Sequence, residues 1–402
     1  MTTEPSITNK PSTANPTENR GPLAGIKVID LTTARSGPTC VRQLVDLGAD
    51  ALRVCKPGHV DLPGSDGWNL HRGVASIELD LQTDEGLRNF LTLADDADVV
   101  VENYRPAVKH RLRIDPDTLL ARNPRLIYGS ISGFGQDGPY ADRPGVDQIA
   151  QGLSGLMSVT GPPGSGPWRT GIAVSDTVTG TFLAQGIIAA LYARERSGAG
   201  QWVHTSLLES MINIMDFQAV RYLNEGDIPG QAGNDHPTLF PMGTYETADG
   251  YINIAASFRF AEFANAVGHP EWNANPRYAS VHQRMAHRVE LTGAVGDVLR
   301  ARSTNEWVPL LNSAGIPAGP VLSIDEVFAD PQVQHLALTA QVGHPLDRSE
   351  ITVLRHPATF SDTPTRIVGP PRHPGADTET ILRRIKRQRS AKDTSTGLTS
   401  KT

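Results

Sequence analysis

The chain has 402 residues, 39% of them hydrophobic and 20% charged, which gives volume for two or three domains and excludes a staple-dependent peptide or a wholly disordered chain. Its 37 basic and 43 acidic residues leave a net charge of -6, so neither nucleic acid nor an anionic membrane surface is an expected partner. The two cysteines, Cys40 and Cys55, form no zinc motif or disulfide framework and fit a reducing cytoplasm.

Residues 1–21 are rich in Thr, Pro, Asn and Glu, contain no apolar run suited to a signal peptide, and read as a disordered tail. Ordered sequence starts with a strand at Ile26–Leu31, a helix from Pro38 to Leu47 ended by Gly48, and a second strand at Ala51–Val54, which make a βαβ unit. A helix at Asp84–Ala94 leads to the strand around Val99, Val100 and Val101, and Arg125–Ile131 supplies another. The first part, 22–225, is therefore expected to be an open α/β sheet, with ligands bound beyond the carboxyl ends of its strands. From Asn234 the texture changes. Asp249-Gly250 stands between alternating segments as a hairpin signal, and Gly/Pro punctuation continues to GIPAGPV at 315–321, so a smaller α+β domain is expected at 226–322. The last residues, 387–402, have tail character like the first. No apolar run reaches membrane-spanning length, because Gln185 and Gly186 interrupt the most apolar helix.

The signatures of serine hydrolases, zinc proteases and P-loop NTPases are missing. Gly133-Phe134-Gly135 follows a strand but lacks the third glycine of a dinucleotide fingerprint, and by itself reads as a tight turn. Asp176 stands just ahead of an apolar helix that includes Val178, Phe182, Ile187 and Leu191. An acid there is ordinarily a cap, because it accepts orphan N–H bonds and suits the positive end of the helix dipole. The same place would keep a carboxylate ionised for attack on a thioester. Local sequence leaves both roles open.

A wider pattern separates them. The segments PLAGIKVIDLTTARSGPTCVRQLVDLGADALRVCKPG, SIELDLQTDEG, DVVVENYRP, NPRLIYGSISGFGQDGPY, SDTVTG with SGAGQ, TADGY and GIPAGPV follow in this order, and the series resembles the class III (CaiB/BaiF-type) coenzyme A-transferases from about Pro22 to Ile385. The resemblance implies a Rossmann-like large domain made from both chain ends, with 323–386 returning to complete it, a small domain between, and an interlocked homodimer. It implies an acyl-CoA:carboxylate CoA-transferase with Asp176 as nucleophile, working through a mixed anhydride and an aspartyl-CoA thioester, with CoA as substrate and carrier and no metal. By the same resemblance Arg35, Ser36, Lys56, Leu79, Asp80, Leu81, Asn103, Tyr104, Arg105 and Arg111 contact the nucleotide end of CoA. Gly133, Phe134 and Gly135 would line the pantetheine and thioester, and His236-Pro237-Thr238 would form a substrate loop closest to members handling succinyl-type acyl groups.

The chain also departs from that pattern. Val74-Ala75 replaces a frequent basic pair, Gln82 a frequent Lys, and Cys55 a frequent acid, while Ala107 and Arg113 replace glycines; fewer phosphate contacts and a weaker hold on CoA are expected. Two other functions remain in view. One is an α-methylacyl-CoA racemase on the same fold, although the His of its G-H-D motif corresponds here to Val146, which cannot exchange a proton. The other is a divergent CoA-binding paralog recruited to a specialised pathway.

Overall fold

A computed structural model describes residues 21–344, 349–365, 367 and 369–398. The expectations for 1–20 and 399–402 lie outside the described residues. The chain divides into two compact units, one made of 21–153, 172–214 and 337–398, the other of 154–171 and 215–336.

The first unit runs β1 (Lys27–Asp30), α1 (Ser36–Asp46), β2 (Asp50–Cys55), α2 (Gly64–His71), β3 (Ala75–Glu78), α3 (Asp84–Ala94), β4 (Val99–Glu102), α4 (Pro106–Arg111), α5 (Pro116–Arg122), β5 (Ile127–Ser132) and α6 (Asp147–Leu153). After the crossing Leu156–Val159 (α7) of the second unit it resumes with α8 (Val174–Ser197), β6 (Gln201–Ser206) and α9 (Leu207–Ile214). The six strands are parallel in the order β3-β2-β1-β4-β5-β6. Parallel strands are covered on both faces, which is why β4 and β5 are buried along their whole length, including Glu102 of β4 and Ser130 of β5. Strand order reverses between β1 and β4, so the loops leaving these two strands diverge and open a crevice at the carboxyl edge. The expected Asp84–Ala94 helix is α3; Thr83 accepts the Gly86 N–H, and Asp84 and Glu85 occupy the positive first turn.

The long helix α8 is apolar and long enough, by composition alone, to cross a membrane. Here it packs on α1, β5 and β6, burying Thr179, Leu183, Ile187 and Leu191. Gly180 makes that packing close, since a Cβ there would stand 2.4 Å from the Ser36 carbonyl oxygen of α1. Gln43 of α1 donates to Thr181 at 2.7 Å and fixes the same pair of helices one turn further on.

The returning chain forms a hairpin of β10 (Thr339–Gly343) and β11 (Glu350–Leu354), numbered after β7 to β9 of the second unit, and ends in a helix at Thr378–Leu398. That helix is anchored by Ile381 and Ile385 in the core, by the Glu78 N–H donating to Thr378, and by Arg389 donating to Asn89. Residues 387–398 are therefore helical rather than tail. The preceding run of strong helix formers, Arg383 to Arg389, carries the helix onward once the two isoleucines pin its start.

The second unit holds an antiparallel sheet of β7 (Met242–Glu246), β8 (Tyr251–Ala255) and β9 (Ala318–Pro320), with Asp249-Gly250 in the β7–β8 turn as expected. Phe240, Ile252, Phe263, Leu291, Trp307 and Ile316 form its core. Its bounds are wider than 226–322. Segment 154–171 looks like a loop in sequence but belongs here, because Gln231 donates to the Thr160 and Gly166 carbonyls at 2.7 and 2.5 Å and the Gly233 N–H donates to the Gly161 carbonyl at 3.0 Å. At the other end Ser323 and Glu326 form a capping box that starts another helix, so the chain leaves this unit at Leu336 rather than 322.

Candidate active site

Asp176 is the third residue of α8, and it does not cap that helix. The N-cap position is Ala173, which has no side-chain acceptor. The orphan donor is served from α6 instead: Asp147 Oδ1 accepts the Ser175 N–H at 3.0 Å and the Ser175 hydroxyl at 2.9 Å, while Gln151 donates to Asp147 Oδ2 at 2.7 Å. Asp176 is thus released from capping, and its carboxylate lies within reach of the Ser36 hydroxyl and the Arg35 guanidinium at the start of α1. Burial chiefly, and then the Asp147 carboxylate, push the Asp176 carboxyl up to about 6, against the Arg35 guanidinium and the Ser36 hydroxyl, which pull it down. At pH 7 about nine-tenths is ionised. The result is a half-buried, partly desolvated carboxylate that is more basic than an ordinary aspartate and still charged.

The remaining site candidates sit on the same edge of the sheet, one loop per strand. Arg35 and Ser36 follow β1, Lys56 follows β2, Leu79 to Leu81 follow β3, Asn103 to Arg105 follow β4 with Arg111 ending α4, and Gly133 to Gly135 follow β5. Lys56, Arg105 and Arg111 are exposed, and among the described residues none has an ion-pair partner. Such a set of free cations at a carboxyl edge suits phosphates. The other members already have structural tasks. Leu79 is buried and Leu81 packs on the same core; Asp80 accepts the Gln82 N–H and so turns the chain into α3. Tyr104 is half-buried, its hydroxyl pushed up to about 12 by burial. Asn103 clasps the β1 loop across the strand-order reversal, accepting the Thr33 N–H at 3.0 Å and donating to the Thr33 carbonyl at 2.8 Å.

The Gly133 loop is held by Gly135, whose N–H donates to Ser132 Oγ and whose φ of +113° favours glycine. Gly133 lies backbone to backbone on Gly145, so that a Cβ on Gly133 would meet the Gly145 Cα at 2.8 Å. Gly145 leads through Val146 to Asp147. Loop, cap and Asp176 are therefore one connected assembly.

A family model for CoA-transferase family III matches residues 23–378. The chain belongs to this family. It is 37% identical over 368 residues to the succinate–glutarate CoA-transferase of Agrobacterium fabrum, covering 87% of this chain and 92% of that one. It is 34% identical over 363 residues to the succinyl-CoA:mesaconate CoA-transferase of Haloarcula hispanica, covering 85% and 91% respectively. Among solved structures, a CaiB/BaiF family protein from Brucella suis superposes with a TM-score of 0.80 at 32% identity, covering 91% of this chain and all of that one. The chain is a CoA-transferase.

Arg35 and Ser36, expected at the nucleotide end of CoA, stand at the start of α1, which packs on α8 at Gly180, one turn along from Asp176. One sequence expectation about this transferase changes with the structure. Val74-Ala75 lies at the amino end of β3, the edge opposite the free cations, and Val74 is 2% exposed. A basic pair absent there removes nothing from the carboxyl edge. His236-Pro237-Thr238 belongs to the second unit, where His236 Nδ1 accepts the Thr238 and Leu239 N–H groups and the ring stacks on Phe217 at 5.9 Å. His236 and Pro237 line a cavity of about 630 Å³ in that unit.

Sequence reasoning missed three residues. Asp147 was visible only as the last letter of Gly145-Val146-Asp147. Lys109 and Glu102 form a buried pair at 3.0 Å; Lys109 also donates to Gln136 of the glycine loop at 2.5 Å and faces the Trp202 ring at 5.2 Å. Lys109 stands in the run Lys109-His110-Arg111, which looks like solvated helix surface.

Proposed function

We propose that the enzyme moves CoA between short dicarboxylic acids through Asp176 as a covalent nucleophile. The observation that carries this reading is an acid in the first turn of α8 that is freed from capping because Asp147 serves the Ser175 N–H, on a helix joined through Asp147 and Gly145 to the glycine loop at the carboxyl edge of the sheet. Asp176 attacks the thioester carbonyl of an acyl-CoA, forming a mixed anhydride and releasing CoA thiolate. The thiolate returns to the aspartyl carbonyl, which frees the donor acid and leaves an aspartyl-CoA thioester. An acceptor carboxylate reverses the two steps and restores Asp176. Ser36 and the start of α8 hold the carboxylate between steps, and the backbone N–H groups of the glycine loop offer donors for the developing oxyanion. Lys56, Arg105 and Arg111 would hold the phosphates of CoA. Relatives named for succinate, glutarate and mesaconate support the dicarboxylic class.

We further read the enzyme as a homodimer. The first unit exposes Tyr192 of α8 at 61% and Ile212 of α9 at 50%, and the second exposes Val220 at 54% and Leu223 at 76%. Apolar faces of that kind call for a covering partner. The buried free thiols of Cys40 and Cys55 suit the cytoplasm.

The test is incubation with succinyl-CoA and a panel of acids, followed by mass spectrometry of the CoA products and of the enzyme. New acyl-CoA species and a CoA or acyl adduct on Asp176, released by hydroxylamine, are expected. Exchange without an adduct would remove the covalent step. Rapid deuterium wash-in at the α-carbon of a 2-methylacyl-CoA would favour racemase chemistry.

A further inference from the structure

We propose that Arg35 is the residue that selects dicarboxylic over monocarboxylic acids, its guanidinium taking the carboxylate remote from the reacting one. This rests on the reading of Asp176 as the nucleophile. Arg35 is the N-cap residue of α1 and directly precedes Ser36, whose carbonyl packs against Gly180, one turn along α8 from Asp176. The close approach of α1 and α8 at Gly180 makes the spacing between Arg35 and Asp176 a fixed property of two packed helices. Among the described residues the two side chains form no ion pair, so the guanidinium stands off the carboxylate while remaining the cation whose field reaches it. A second anionic group on a bound acid is met there by the opposite charge.

Arg35 is also available. Among the described residues its one ion-pair partner is Asp66, joined by a single Nη2–Oδ2 bond of 2.8 Å, and the Asp66 side chain is 65% exposed against 31% for Arg35. A solvated pair of this kind is weak and readily exchanged. One donor of a five-donor fork is engaged, leaving the bidentate geometry that a carboxylate prefers open to a substrate.

The experiment compares glutarate with pentanoate, acids of equal length that differ by one carboxylate. In a double-displacement reaction kcat/KM for the acceptor is independent of the donor, so succinyl-CoA can serve throughout. Wild type should favour glutarate. Arg35→Gln should lower the glutarate-to-pentanoate ratio of kcat/KM by ten- to a hundredfold, chiefly through KM for glutarate, and Arg35→Lys should fall between the two. Asp66→Asn, which frees the guanidinium, should raise the ratio. An unchanged ratio in Arg35→Gln, or a lowered one in Asp66→Asn, overturns the assignment while leaving the nucleophile reading intact if the Asp176 adduct still forms. Absence of that adduct in wild type overturns both.

Discussion

Replacing Asp176 by Asn should make the protein more stable at neutral pH while removing its activity. The carboxyl is raised from 3.8 to about 6, first by burial and then by Asp147. A raised carboxyl destabilises the fold when it ionises. The penalty is absent below pH 4, where folded and unfolded chains both hold the proton; it grows between pH 4 and 6 and is complete above pH 6. Two pKa units correspond to about 3 kcal/mol. The site is only half-buried, and solvent screening reduces this to about 1 to 2 kcal/mol. Asn keeps the shape and can still accept from Ser36, so it removes the charge without opening a cavity. Urea denaturation of both proteins from pH 4 to pH 8 should show curves that nearly coincide at pH 4 and a gap of about 1 to 2 kcal/mol in favour of Asn at pH 8. With Asp176 as the proposed nucleophile, transfer should fall by at least about a thousandfold. A variant less stable at pH 8, or a gap of the same size at both ends, would refute the claim that the charge is held at a cost.

Asp147→Asn removes the like charge beside Asp176, so the acid limb of the kcat/KM profile, set near pH 6 in wild type, should move to lower pH; helix α8 keeps an acceptor, and stability should change by about 1 kcal/mol or less. Lys109→Met leaves Glu102 buried and unpaired and should cost about 3 to 5 kcal/mol by denaturant titration, most of it recovered when Glu102→Gln is added. Arg111→Ala should weaken CoA binding, measured by calorimetry, by about ten- to a hundredfold and more at low salt than at high. Val74→Lys should leave CoA affinity unimproved and lower the melting temperature, since it places an unpaired charge at a buried strand start.

The sheet was legible because parallel central strands are written as apolar runs: Val99 to Val101 and Ile127 to Ile131 could be little else, and Gly48 marks the end of α1. Every candidate loop followed from those strands. The second unit's claim on 154–171 was illegible, because TGPPGSGPW is loop chemistry and its attachment depends on Gln231, 71 residues beyond Thr160 and 65 beyond Gly166. Asp176 was visible as an acid at a helix start, but its freedom from capping was not, since the group that caps α8 comes from Asp147 on another helix. Lys109 shows the limit most clearly. A lysine between alanine, valine and two basic neighbours carries no local sign of burial; its place is set by Glu102 on β4 and Gln136 on a later loop, contacts that exist only once the sheet is built.

The clasp between Asn103 and Thr33 bears on how the enzyme meets its substrates. Two loops on opposite sides of the strand-order reversal, each free to wander if left alone, are tied by a pair of backbone-directed bonds before any ligand arrives. One loop leads to Arg35 and Ser36, the other to Arg105 and the helix that ends in Arg111. Their mutual ordering is therefore met during folding, and binding has little loop entropy left to overcome. Because the tie joins the two halves of the crevice, a CoA held by the cations of the β4 side, as proposed above, would find the Asp176 side already in register. The clasp would then make the long span of CoA a ruler laid against a rigid edge.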